Sequence, residues 1–100
     1  MAKTFDLVVT RRAELDLRAI WRAIARENER AADRLLLRLD DKMQLLRRTP
    51  EMGVARDDIR RRARMLVEGN YLVLYEIHPN EELVEIVAVV DGRRDLSQIF

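Results

Sequence analysis

Arginine and tyrosine are the residues of this chain whose spacing suggests chemistry. Arg56, Arg60, Arg61, Arg62 and Arg64 crowd into nine residues, Tyr71 and Tyr75 follow within a turn and a strand, and Arg93 and Arg94 return near the end. Such a set suits metal-free RNA cleavage, which needs a group to activate the ribose 2′-OH, a cation for the pentavalent phosphorane and an acid for the leaving oxygen. Arginine stays charged and makes a poor base, so its part would be electrostatic. No lysine follows Lys42, and both tyrosines share a strand face that reads as buried, which weakens the nuclease reading. Its candidate catalytic residues are Arg60, Arg62, Arg64, Tyr71, Tyr75, Arg93 and Arg94.

Other chemistries find no residues. There is no cysteine, one serine (Ser97) and one histidine (His78), so thiol chemistry and a serine–histidine triad are excluded. Around His78, the acids Glu76, Glu81 and Glu82 lack a recognisable ligand spacing, so neither a metal nor another cofactor is expected. No glycine-rich phosphate loop is present.

These residues must be positioned by a small scaffold. One hundred residues, 48% hydrophobic and 37% charged, make one folded domain spanning residues 1–100. No stretch approaches the ~20 apolar residues of a membrane span and no leader opens the chain, so a cytoplasmic protein is expected. The net charge of +1 conceals the arginine concentration, whose local field would attract phosphate or an acidic peptide.

The fold reads as α+β. Residues 5–10 (FDLVVT) form a strand, and Thr10 caps a helix over residues 11–27 whose inner face carries Ala13, Leu17, Ile20, Trp21 and Ile24. Trp21 is expected as a core anchor, while Arg12, Asp16, Arg22 and Arg26 solvate the other side. A second helix over residues 30–48 buries Ala32, Leu35, Leu36, Leu39, Met43 and Leu46 and stops before Pro50, giving an antiparallel two-helix hairpin. Residues 50–58 form a loop in which Gly53 is expected at positive φ. Strands over residues 63–68, 71–78 and 83–90 form an antiparallel meander, so the hairpin packs on a mainly antiparallel sheet. Asp95 then caps a short helical turn with Leu96, Ile99 and Phe100.

Alternation places Tyr71, Val73, Tyr75 and Ile77 on one sheet face and Leu72 and Leu74 on the other. In the last strand, Val84, Ile86, Ala88 and Val90 oppose Leu83, Val87 and Val89. Both faces are apolar, yet a two-helix hairpin covers only one. Either the tail and the loop of residues 50–58 close the second face, or it leaves on the order of several hundred Å² of apolar surface for a partner. The partner reading takes Leu72, Leu74 and Phe100 as apolar contacts and Arg56, Arg60, Arg61, Arg62, Arg64, Arg93 and Arg94 as the polar rim.

In order and spacing, Glu14-Leu15-Asp16-Leu17-Arg18-Ala19-Ile20-Trp21, the loop from Pro50-Glu51-Met52-Gly53 through Arg56-Asp57-Asp58, Gly69-Asn70-Tyr71-Leu72-Val73 and Gly92-Arg93-Arg94-Asp95-Leu96 resemble the RelE/ParE toxins of bacterial type II toxin–antitoxin modules, in the ParE-like branch. The resemblance covers nearly the whole chain. It implies a toxin silenced by a cognate antitoxin in a hetero-oligomer, with DNA reached only through the antitoxin. It also implies a target: DNA gyrase for ParE-like proteins, or messenger RNA on the ribosome, cleaved without metal, for RelE-like ones. The missing lysines favour the first, a protein-binding toxin rather than an enzyme. ParE-like chains commonly carry histidine before the closing Gly-x-Arg-Asp. Asp91 stands there in this chain, where it would lower the local potential and brace Arg93 or Arg94.

Overall fold

The computed structural model describes residues 3–94 and residue 96. Strand β1 (Asp6–Val9) leads into helix α1 (Arg11–Ala25) and helix α2 (Glu29–Leu45), then a 3₁₀ turn (Pro50–Met52) and strands β2 (Val54–Ala55), β3 (Arg64–Glu68), β4 (Tyr71–His78) and β5 (Leu83–Asp91). The sheet order is β1-β5-β4-β3-β2. Only β1 runs parallel to its neighbour, while β2 to β5 are joined antiparallel. The expected α+β architecture is therefore present, with β2 as an extra edge strand too short to read from sequence. The expected C-terminal turn, with Asp95, Ile99 and Phe100, lies outside the described residues.

Local rules set the helix ends. Thr10 is extended, and its hydroxyl accepts the Ala13 N–H at 3.2 Å. Asn28, in the break between the helices, caps α2 by accepting the Ala31 N–H at 3.0 Å. Ala13, Leu35, Leu39, Met43 and Leu46 form the main core with Leu66, Val73, Tyr75, Val84, Ile86 and Val89 of the sheet. Trp21 is half-buried rather than central, and its indole N–H donates to Asp33 Oδ1 at 2.8 Å, tying α1 to α2.

Strand β5 departs from simple alternation. Leu74 pairs with Ala88 but Tyr75 pairs with Ile86, so Val87 is an extra residue in a β-bulge. Val84, Ile86 and Val89 thus face the helices, whereas Ala88 and Val90 join Leu72 and Leu74 on the outer face. Strict alternation would have kept Ile86, Ala88 and Val90 together.

The outer face is closed. Ile59, Met65 and Leu96 pack on it, leaving Leu72 8% and Leu74 0% exposed. Leu72 and Leu74 are thus covered, as one of the two readings expected, but by Ile59 and Met65 with Leu96 of the tail and not by the loop of residues 50–58. Among the described residues, no helix is long and apolar enough to cross a membrane.

Candidate functional site

Residues 56–63 link β2 to β3 and carry most of the arginines across the outer face. Hydrogen bonds from Arg56 N to Ala63 O (2.7 Å) and from Ala63 N to Arg60 O (2.9 Å) pin the loop at its base. The Arg56 guanidinium forks onto Asp58, with both contacts at 2.9 Å, and its third nitrogen reaches Met65 Sδ at 3.5 Å. That hydrogen-bonded pairing lowers the Asp58 pKa and raises that of Arg56. Arg62 adopts left-handed backbone, φ 69°, and Asp57 Oδ1 accepts its N–H at 2.9 Å, offsetting part of the strain. Arg60 Nε lies 3.2 Å from Glu76 Oε2.

Arg64 does not join them. It pairs with Tyr75 across the strands, on the helix face, and its Nε and Nη2 donate to Gly53 O (3.1 Å) and Glu51 O (3.0 Å). Tyr75 is fully buried; its hydroxyl donates to Pro50 O at 2.7 Å and accepts the Gly53 N–H at 2.8 Å. This latch also explains Gly53, whose φ of −78° contradicts the expected positive value. A Cβ there would stand 2.6 Å from Tyr75 Oη and 2.8 Å from Met65 O. Glycine is needed for close approach, not for handedness. Tyr71 is half-buried against the main core.

Arg93 and Arg94 lie at the opposite end of β4 from Arg60, after Asp91, the cross-strand partner of Tyr71. Asp91 does brace Arg93, with Oδ1 at 2.9 Å from Nε and Oδ2 at 2.6 Å from Nη2. The Arg93 side chain and then its backbone N–H hold the Asp91 pKa down at about 2. The proposed catalytic set is thus spread over two faces and two ends of the sheet. Among the described residues of this set, Arg61 and Arg62 present exposed guanidinium groups with no side-chain hydrogen bond or ion pair, and exposed Arg94 adds its charge to the field that lowers the Asp91 pKa. Phe100 lies outside the described residues.

One cluster was not anticipated. Glu76, His78 and Glu85 bring their ligand atoms within 4.8 Å of one another, which corrects the reading of His78 as lacking ligand neighbours. Glu76 and His78 are two apart on β4, and Glu85 lies directly across from Glu76. The two-residue spacing was visible in the sequence, but the third member depends on the bulge.

A two-helix hairpin packed on a five-stranded, mainly antiparallel sheet, with a basic loop on its outer side, is the architecture of this chain. A family model described as the ParE toxin of the type II toxin–antitoxin system parDE matches residues 7–96, and the chain belongs to that family. No curated protein matches significantly in sequence. Among solved structures, the chromosomal ParDE toxin–antitoxin system from P. aeruginosa aligns with a TM-score of 0.74 at 16% identity, covering 88% of this chain and 96% of that one. The toxin–antitoxin complex RelBE2 from Mycobacterium tuberculosis aligns at 0.64 and 18% identity, covering 91% and 94%. At such identities these two likenesses establish the fold.

Proposed function

We propose that this toxin works by gripping proteins, being silenced by its cognate antitoxin and inhibiting DNA gyrase when free, with cytoplasmic action and no catalytic step. The carrying observation is the dispersal of the arginine–tyrosine set. Tyr75 is buried with its hydroxyl doubly bonded, and Arg64 is spent on the backbone carbonyls of Glu51 and Gly53, before β2. RNA cleavage needs acid, base and cation around one phosphate, and these groups do not share one.

The antitoxin's C-terminal segment would dock as an amphipathic helix or added strand. Its apolar side fits the cleft of about 690 Å³ lined by Val9, Leu17, Leu36, Leu37 and Met43. Glu14, Asp33 and Asp40 also line that cleft and favour basic flanks there, whereas acidic residues would meet Arg61, Arg62 and Arg94. The test is a paired assay with free toxin: gyrase supercoiling should fall while ribosome-bound messenger stays intact. Intact supercoiling with cut messenger would establish the RelE-type endoribonuclease instead.

A further inference from the structure

Glu76 sits on an outer face otherwise built from Leu72, Leu74, Ala88 and Val90. It is 8% exposed, and its Oε2 is buried without a hydrogen bond. Arg60 Nε stands 3.2 Å from that oxygen and forms an ion pair with it. The ion pair offsets the charge of Glu76, while Oε2 remains without the hydrogen bond that direct coordination to a metal ion would replace.

Two further donors converge there. His78 Nε2 lies 3.1 Å from Glu85 Oε1, and both residues are about one-third exposed, at 31% and 34%. Glu85 reaches this face because of the bulge at Val87. Without the extra residue, a strand placing Ala88 and Val90 outward would turn Glu85 toward the helices. We propose that Glu76, His78 and Glu85 bind a divalent transition-metal ion of the zinc type. Two carboxylates neutralise the ion, and the imidazole nitrogen selects it over magnesium and calcium, which prefer all-oxygen shells. Metal–ligand distances of about 2.0–2.2 Å place tetrahedral ligand atoms roughly 3.4 Å apart, so separations of up to 4.8 Å must close by up to roughly 1.4 Å, within the reach of side-chain rotation. A cleft of about 230 Å³, lined by Thr10, Arg12, Arg60, Glu85 and Val87, opens beside Glu85 and leaves room for water ligands, while the charges of Arg12 and Arg60 on its wall limit the affinity of the site.

His78 is the only histidine, so the full chain freed of any affinity tag carries its own reporter. Zn²⁺ titrated into it should bind one to one by calorimetry and move the imidazole resonances in NMR, while Mg²⁺ at the same concentration should not. Glu85→Gln, a change at a partly exposed position, should weaken Zn²⁺ binding at least about tenfold with the fold intact by circular dichroism. Glu76→Gln should do the same. Imidazole resonances that stay fixed at millimolar Zn²⁺ would overturn the proposal. So would Zn²⁺ binding that Glu85→Gln leaves unchanged, since His78 alone would then account for it.

Discussion

The carboxylate of Asp16, on α1, accepts the backbone N–H of Val89 at 3.0 Å across 73 positions of chain. Thr10, at the start of the same helix, donates its hydroxyl to Val87 O at 3.1 Å. Val87 is the extra residue of the β4–β5 bulge and Val89 lies two positions beyond it, and a bulge leaves backbone groups without ladder partners. Helix α1 therefore supplies the polar partners that make the bulge tolerable, and the bulge decides which β5 side chains face outward. Asp16 is a structural acceptor, not the solvating residue that its helical position suggested.

Asp16→Ala should destabilise the chain by about 1–3 kcal/mol, because the part-buried Val89 N–H loses its acceptor. Asp16→Asn keeps a carbonyl oxygen in place and should cost clearly less. Urea unfolding of the two variants checks this; equal losses would mean that charge, through Arg12 at 3.6 Å, matters more than the hydrogen bond.

Tyr75→Phe removes one oxygen that serves both Pro50 O and Gly53 N, at an expected cost of about 1–3 kcal/mol and a fall in Tm of several degrees. Gly53→Ala drives a methyl group against that same hydroxyl and should cost a similar ~1–3 kcal/mol. The two changes share the hydroxyl contact, while the 2.8 Å approaches to Met65 O and Tyr75 Cε1 remain, so the double variant should lose somewhat less than the sum. Strict additivity in thermal melts would show that the latch is not a unit.

What could be read from the sequence follows from the range of the signals. Helix faces and the meander depend on periodicity within a few residues, and the inward set from Ala32 to Leu46 lies where that spacing puts it. The bulge depends on Thr10 and Asp16, more than 70 positions away, so strict alternation assigned Ala88 and Val90 to the wrong partners. Arginine clustering in sequence became clustering in space only for the loop of residues 56–63, not for Arg64. Arg60 and Arg64 are an even number apart, yet the left-handed turn at Arg62 lies between them and their side chains go to opposite faces. The motif pieces carried the family where spacing alone could not.

Asp91 should leave a mark on acid stability. Its pKa in the folded chain, about 2, lies below the ordinary carboxylate value of ~3.9, so folding favours its ionised form. The contribution is complete above the ordinary value and drains away as pH falls through about 2. Arg93 is solvent-exposed and Asp91 partly so, and solvent screens the pair, so the step should be small. Comparing unfolding midpoints of the chain and of Asp91→Asn between pH 5 and 2 isolates it: the difference between them should shrink toward pH 2. A constant gap would place the effect in packing rather than in the Arg93 pairing.

Charge reversal should separate stability from recognition within the basic loop. Arg60→Glu sets a second carboxylate beside the buried Glu76, 3.2 Å from where the guanidinium stood, and should destabilise the chain by about 1–3 kcal/mol or more. Arg62 points its charge into solvent, and Arg62→Glu leaves the Asp57 bond to its backbone N–H in place, so its cost should stay within about 0.5 kcal/mol. If Arg62 belongs to the rim that meets acidic residues of the antitoxin, that second variant should bind the antitoxin more weakly, chiefly through a slower on-rate. Combining the two should weaken growth arrest or antitoxin binding beyond what the lost stability explains. Thermal melts set beside binding kinetics decide the matter: an Arg62→Glu chain with native stability and unchanged association rate at low salt would remove Arg62 from the interface.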